Sequence, residues 1–129
     1  MNIYQPKKAD VFLEKENMVH IRIHPKVHLD REDMLEINTT KFKMVGEKKY
    51  TVLFVPGKQA TISKEAREIS SFPVITRNAI AKAIVVKTLA HRLIGNFFIK
   101  TQKPAHKTKL FDSEEKAIEW LDKMMENKN

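Results

Sequence analysis

The histidines are the first residues whose spacing suggests chemistry. His20, His24 and His28 recur at every fourth position, and Asp30 follows them. Imidazoles and a carboxylate brought together could bind zinc or nickel. On a strand, however, His20 and His24 project from the side that alternation assigns to solvent, and His28 lies beyond Pro25. Exposed histidines account for the pattern, so no metal site is assigned. His91 and His106 have no evident nucleophile partner. The chain has no cysteine, which excludes thiolate ligands, disulfides and a Cys nucleophile. It has only three glycines and no G-x-S-x-G, P-loop or dinucleotide fingerprint. None of the carboxylates falls in an apolar setting of the kind that tunes an acid for catalysis. No catalytic set and no cofactor emerge, and an enzyme is the least favoured class.

The elements that would position any such residues are clearer. Ala83-Ile84-Val85-Val86 is a continuous apolar run, as expected of a strand covered on both faces. Thr88 offers an N-cap hydroxyl, and the period then turns helical. Leu89, Ala90, Leu93, Ile94, Phe97 and Phe98 form one apolar stripe, with Arg92, Asn96 and Lys100 opposite and Ile99 on the polar side. Gly95 inside this helix implies a close approach by a neighbour, and Pro104 forbids continuation. Such stripes of Phe and Met read as core rather than as a ligand box.

Residues 1–8 read as a loose lead-in. Val11 and Leu13 alternate with polar neighbours, Glu16-Asn17 is a tight turn, and Met18–His24 alternates cleanly. This predicts a hairpin with Val19, Ile21 and Ile23 inward and Met18, His20, Arg22 and His24 in water. Asp30 and Asp33 start a helix over 31–45, with Leu35, Asn38, Phe42 and Val45 as its core stripe and Gly46 as its stop. Tyr50–Val55 is a strand closed by Pro56-Gly57. Ser63 caps a short helix, and 74–81 suggests a second helical piece. Lys109–Phe111 is a short strand. Asp112 and Glu115 make a capping box for a last helix that turns Ala117, Ile118, Leu121, Met124 and Met125 inward. The order is β-β-α-β-α-β-α-β-α. It predicts an α/β (α+β) fold with a mixed sheet of about five strands covered by about four helices.

At 129 residues the chain reads as a single domain over 1–129 with a real core. It shows no signal-peptide h-region and no apolar run long enough to span a bilayer. With the lack of cysteine, the expected address is the cytoplasm. The net charge of +8 is unevenly placed. Between Ile69 and Phe111 stand eight basic residues and no acidic one, while the remainder is balanced at sixteen of each. Lys87, Arg92, Lys100, Lys103 and Lys107 are the candidate basic face. Such a face would steer an acidic protein partner or, less favoured, nucleic acid.

Three stretches resemble a known family. They are Ser63-Lys64-Glu65-Ala66-Arg67-Glu68, the run from Ala83 through Arg92 to Phe98, and Phe111-Asp112 leading to Ala117-Ile118-Glu119-Trp120-Leu121. Together with the element order, they resemble the STAS fold, and more closely the small uncharacterised bacterial proteins described as STAS-like or SpoIIAA-like. In phosphorylated STAS proteins a serine at the start of the helix after the third strand is the switch. The nearest position here is Ser63, with Thr61 beside it. Here Val55-Pro56-Gly57 replaces the usual acidic strand end, and Lys64-Glu65 replaces the usual small residues after the serine. The resemblance implies a non-enzymatic module that binds a protein partner, with a homodimer as one form. The alternative expectation is a small carrier of a lipid-like apolar ligand, with the stripe Leu89–Phe98 roofing its pocket.

Overall fold

The computed structural model describes residues 4–102 and 106–127, and the side chains of 101 and 102 lie outside that description. Its elements in chain order are β1 (Ala9–Lys15), β2 (Met18–Ile23), β3 (His28–Leu29), α1 (Arg31–Val45), β4 (Tyr50–Val55), β5 (Thr61–Ile62), α2 (Lys64–Ile69), α3 (Pro73–Thr76), β6 (Ala79–Val85), α4 (Leu89–Gln102), β7 (Lys107–Phe111) and α5 (Glu114–Glu126). Five strands form one mixed sheet in the order β1-β2-β4-β6-β7. Only the β1–β2 pair is antiparallel; the other three pairs are parallel. The short strands β3 and β5 pair parallel beside this sheet, a feature the sequence pattern did not suggest.

The order explains the layering. Each step from β2 to β4, β4 to β6 and β6 to β7 is a parallel crossover in one direction, and such crossovers are right-handed. All of their helices, α1 to α4, therefore fall on one face. The opposite face is left to α5, which follows β7. Two cores result. One joins Val19, Ile21, Tyr50 and Val52 of the sheet to Met34 and Ile37 of α1 and Ala66 and Ile69 of α2. The other packs Met18, Leu53, Val55, Ala81, Ala83 and Val85 against Ala117 and Leu121 of α5.

Helix boundaries follow local chemistry. Asp30 accepts from the Asp33 amide while Asp33 accepts from the Asp30 amide, a complete capping box for α1. Ser63 Oγ accepts from the Ala66 amide and caps α2, and Thr88 Oγ1 accepts from His91 N at the start of α4. The cap of α5 is Ser113, not Asp112, because the Ser113 hydroxyl accepts from Lys116 N. Asp112 instead lies 3.6 Å from the Lys116 ammonium. Gly95 carries out the expected close approach: a Cβ there would stand 2.9 Å from Leu110 Cδ2 of β7.

Several expectations are corrected. Met18 and His20 are buried, because β2 is an interior strand covered on both faces rather than half of an isolated hairpin. The buried stripe of α1 is Met34, Ile37, Asn38, Lys41 and Val45, with Leu35 and Phe42 on its margin. Strand β6 begins at Ala79, so the helical piece is shorter and earlier, at Pro73–Thr76. Residues 5–8 are tied down: Gln5 brackets Val11 through both backbone groups, and Lys8 Nζ reaches Asp33 at 2.6 Å. The stripe of α4 divides, with Phe98 buried and Leu89, Leu93 and Phe97 on the surface. The helix lies along the sheet margin beside edge strand β7, with Gly95 against Leu110 and His91, Ile94 and Phe98 turned to the cleft.

Leu121 is fully buried at the centre of the α5 contact. Leu121→Ala is expected to lower unfolding free energy by about 2–5 kcal/mol, measured by chemical denaturation. A loss below about 1 kcal/mol, within the range of an ordinary surface change, would contradict the packing of α5.

Candidate functional site

The face carrying α1 to α4 holds residues an apolar core does not need. Lys41 projects from the middle of the α1 stripe and is only 4% exposed. Its ammonium donates to the Ile75 carbonyl at 2.8 Å and lies over the rings of Phe42 and Tyr50. Lys82 comes from the middle of β6, in register with Val52 of β4 and Thr108 of β7. It lies 4.7 Å from the centre of the Phe54 ring and 5.7 Å from that of Phe98. Among the described residues neither lysine forms an ion pair. The aromatic faces and one carbonyl are their polar environment.

Burial sets the electrostatics. Desolvation pulls the Lys41 pKa down to about 7, and the nearby Lys82 charge adds to the fall. Desolvation alone brings Lys82 down to about 8. His106, just before β7, is pushed down to about 4 by burial and then by Lys82 and Lys41. Its imidazole is thus neutral, with one nitrogen able to donate and one to accept. Both ring nitrogens are buried without a hydrogen-bond partner. Two ammonium groups and a neutral imidazole therefore share one region that, among the described residues, no carboxylate balances.

Lys82 borders two adjoining cavities. The larger, about 80 Å³, opens to the surface between the sheet, the β3–β5 pair, α2 and α4. Its walls are chiefly apolar, including Ile23, Leu29, Phe54, Ile84, Ile94 and Phe98. Arg67 and His91 also border it, each held to a backbone carbonyl, Ile62 O and Ala60 O respectively. The smaller cavity, about 30 Å³, is bordered by Lys41, Lys82, His106, Asn38, Ser70 and Thr76. Met34, Phe54, Ser70 and Lys82 belong to both walls. The site is an apolar cleft with a polar, cationic inner end.

Residues 11–125 match the family described as Domain of unknown function (DUF7793). The chain belongs to this family. No curated protein matches the sequence. Among solved structures, an uncharacterized protein of the DUF3478 family from Shewanella loihica PV-4, with a SpoIIAA-like fold, superposes with a TM-score of 0.62 at 11% identity. The likeness spans 88% of this chain and 91% of that one. The DUF7793 domain thus has a SpoIIAA-like fold, and the expected fold class, a mixed five-stranded sheet with its helices, is the one found.

Of the candidate site residues singled out in the sequence, Thr61 and His91 border the larger cavity and His106 the smaller, while the others lie elsewhere on the DUF7793 domain. Ser63 is committed to its capping bond, and its amide donates to Leu29 O across the β3–β5 pair. Thr61 is exposed, with its hydroxyl 2.7 Å from His28 Nδ1. Lys87 and Arg92 lie toward the carboxyl end of β6, while Lys100 and Lys107 lie toward the opposite end of the sheet, with Lys107 opposite Ala81. Lys103 lies outside the described residues. The three histidines also take separate partners: His20 meets Glu14 at 2.8 Å, His24 meets Asp10 at 3.1 Å, and His28 meets Thr61.

Sequence reasoning passed over Lys41 and Lys82, yet each left a signal. Lys41 stands at helical spacing from Met34, Ile37, Asn38 and Val45. Lys82 interrupts Ala-Ile-Ala-Lys-Ala-Ile-Val-Val, a strand otherwise wholly apolar. His106 left none, since only the fold returns it to the same region.

A pH prediction follows. The unfolded chain keeps the Lys41 proton up to the ordinary value of 10.5, whereas the native state releases it near 7. Between these values the unfolded state binds more protons, so stability rises with pH across that window, and the penalty is full below it. Lys41→Met is expected to raise stability at pH values below the window by about 1–3 kcal/mol. It should also flatten the slope within the window. Denaturation curves at several pH values check both; equal slopes in wild type and variant would refute the linkage.

Proposed function

We propose that this domain binds a small apolar molecule in the cleft between the sheet, α2 and α4, and holds it without chemical change. The observation that carries this reading is the cleft itself, an apolar cavity of about 80 Å³ open to the surface. Two features support holding over turnover. The Ser70 and Thr76 hydroxyls beside the cleft are bound to the Ala66 and Phe72 carbonyls. The cleft histidine, His91, is bound to Ala60 O rather than to a nucleophile. Lack of cysteine fits action in a reducing compartment such as the cytoplasm.

A second reading, a regulatory module that docks a protein partner or a second copy, is favoured by the outer face of α4. Leu89 and Leu93 are 72% and 60% exposed, one turn apart, with Arg92 beside them. Large apolar side chains grouped on a helix face are typical of docking surfaces. Because α4 also walls the cleft, ligand occupancy and docking would act on one helix.

The first reading is tested by thermal-shift and nuclear magnetic resonance titration with short alkanols such as hexan-1-ol. Ligand is expected to raise Tm and to move the resonances of Ile84, Ile94 and Phe98. Ile94→Trp, which fills the cleft from a half-buried position, is expected to abolish both effects while the domain stays folded. Unchanged resonances at saturating alkanol would overturn the reading. For the second, Leu89→Glu with Leu93→Glu is expected to remove any self-association seen by sedimentation. Identical sedimentation of variant and wild type as monomers would set aside a dimer on α4.

A further inference from the structure

The cationic inner end of the cleft has no function in merely holding an apolar molecule. Two lysines and an imidazole converge there, and a core of this size is usually built without them. Lys41 is almost wholly buried, and its bond to Ile75 O accounts for one of its three donors. Lys82, which is partly exposed, places its ammonium over the rings of Phe54 and Phe98. Both His106 ring nitrogens are buried and unpartnered. Among the described residues no carboxylate neutralises the group. A buried cluster of this kind lacks one thing, an anion.

The cavities state its size and shape. The inner cavity, about 30 Å³, is smaller than the outer one, about 80 Å³, so a compact head group such as a carboxylate suits the inner cavity and an aliphatic tail the outer. Lys82, Ser70, Met34 and Phe54 border both cavities. A single molecule can therefore place its head in the inner cavity and its tail in the outer one.

We propose that the ligand is a short aliphatic monocarboxylic acid, with its carboxylate held between Lys82 and Lys41 beside His106 and its chain in the apolar cleft under α4. This rests on the cleft being a binding site. In the complex the carboxylate accepts hydrogen bonds from the two ammonium groups and from one imidazole N–H. The aliphatic chain meets Phe54, Ile84, Ile94 and Phe98. A bound anion removes the penalty of two like charges facing each other in a dry interior, and charge-assisted bonds in such surroundings are strong.

The test compares hexanoate, hexan-1-ol and hexyl phosphate by calorimetric titration into the full-length protein. Wild type is expected to bind hexanoate at least tenfold more tightly than hexan-1-ol, and hexyl phosphate no better than the alcohol. Lys82→Met, which keeps the length and apolar bulk of the stem, is expected to lose the preference for the acid while still binding the alcohol. Equal affinity of wild type for acid and alcohol would overturn the carboxylate site and leave the cleft reading intact. Tighter binding of hexyl phosphate would overturn the choice of head group. Binding of none of the three would overturn both readings. The wild-type comparison decides the matter even where a variant fails to fold.

Discussion

The handedness of parallel crossovers governs this molecule. Because β2, β4, β6 and β7 are laid down in one direction across the sheet, each right-handed connection places its helix on the same side. Four helices must share one face of a five-stranded sheet, while α5 covers the other alone. The two faces become chemically different. Under α5 the strands present small residues, Ala81 and Ala83 among them, so a single helix packs closely. On the crowded side α1, the short α2–α3 pair and α4 cannot close completely over the strands, and the β3–β5 pair spans part of the gap.

The cleft is that incomplete closure, and its chemistry comes from three elements meeting at one level of the sheet. Lys82 lies at the centre of β6, Lys41 reaches in from α1, and His106 arrives on the approach to β7. None would be unusual on a surface. Their shared lack of counter-charge among the described residues is a property of the assembled fold. Desolvation opposes their charge, and aromatic faces offset part of the cost.

How far the sequence announced this can be judged from particular residues. Strong local signals were legible: the helix start at Asp30 and Asp33, the Ser63 cap, the Tyr50–Val55 strand and the tight turn at Asn17, whose φ of 66° suits asparagine. Signals that depend on partners misled. Alternation assigned His20 to water, but in the sheet Phe12 stacks on its ring and Glu14 meets Nδ1. The apolar stripe of α4 suggested that Leu89, Leu93 and Phe97 are core, but the helix sits at a margin and leaves them on the surface. Lys41 and Lys82 were visible as basic residues in apolar frames. Their convergence was not, because it is made by contacts between distant stretches of chain.

The fastening of α5 has a consequence for how the chain comes into being. Arg22 meets Glu114 and Lys15 meets Asp122, so the last described element is pinned to the first two strands across nearly the whole sequence. Until it docks, Leu53, Val55, Ala83 and Val85 face water on a bare sheet. During translation the nascent chain must carry that uncovered surface while everything after β6 is still being made. Its exposure to chaperones and to other nascent chains is therefore set by how soon α5 leaves the ribosome.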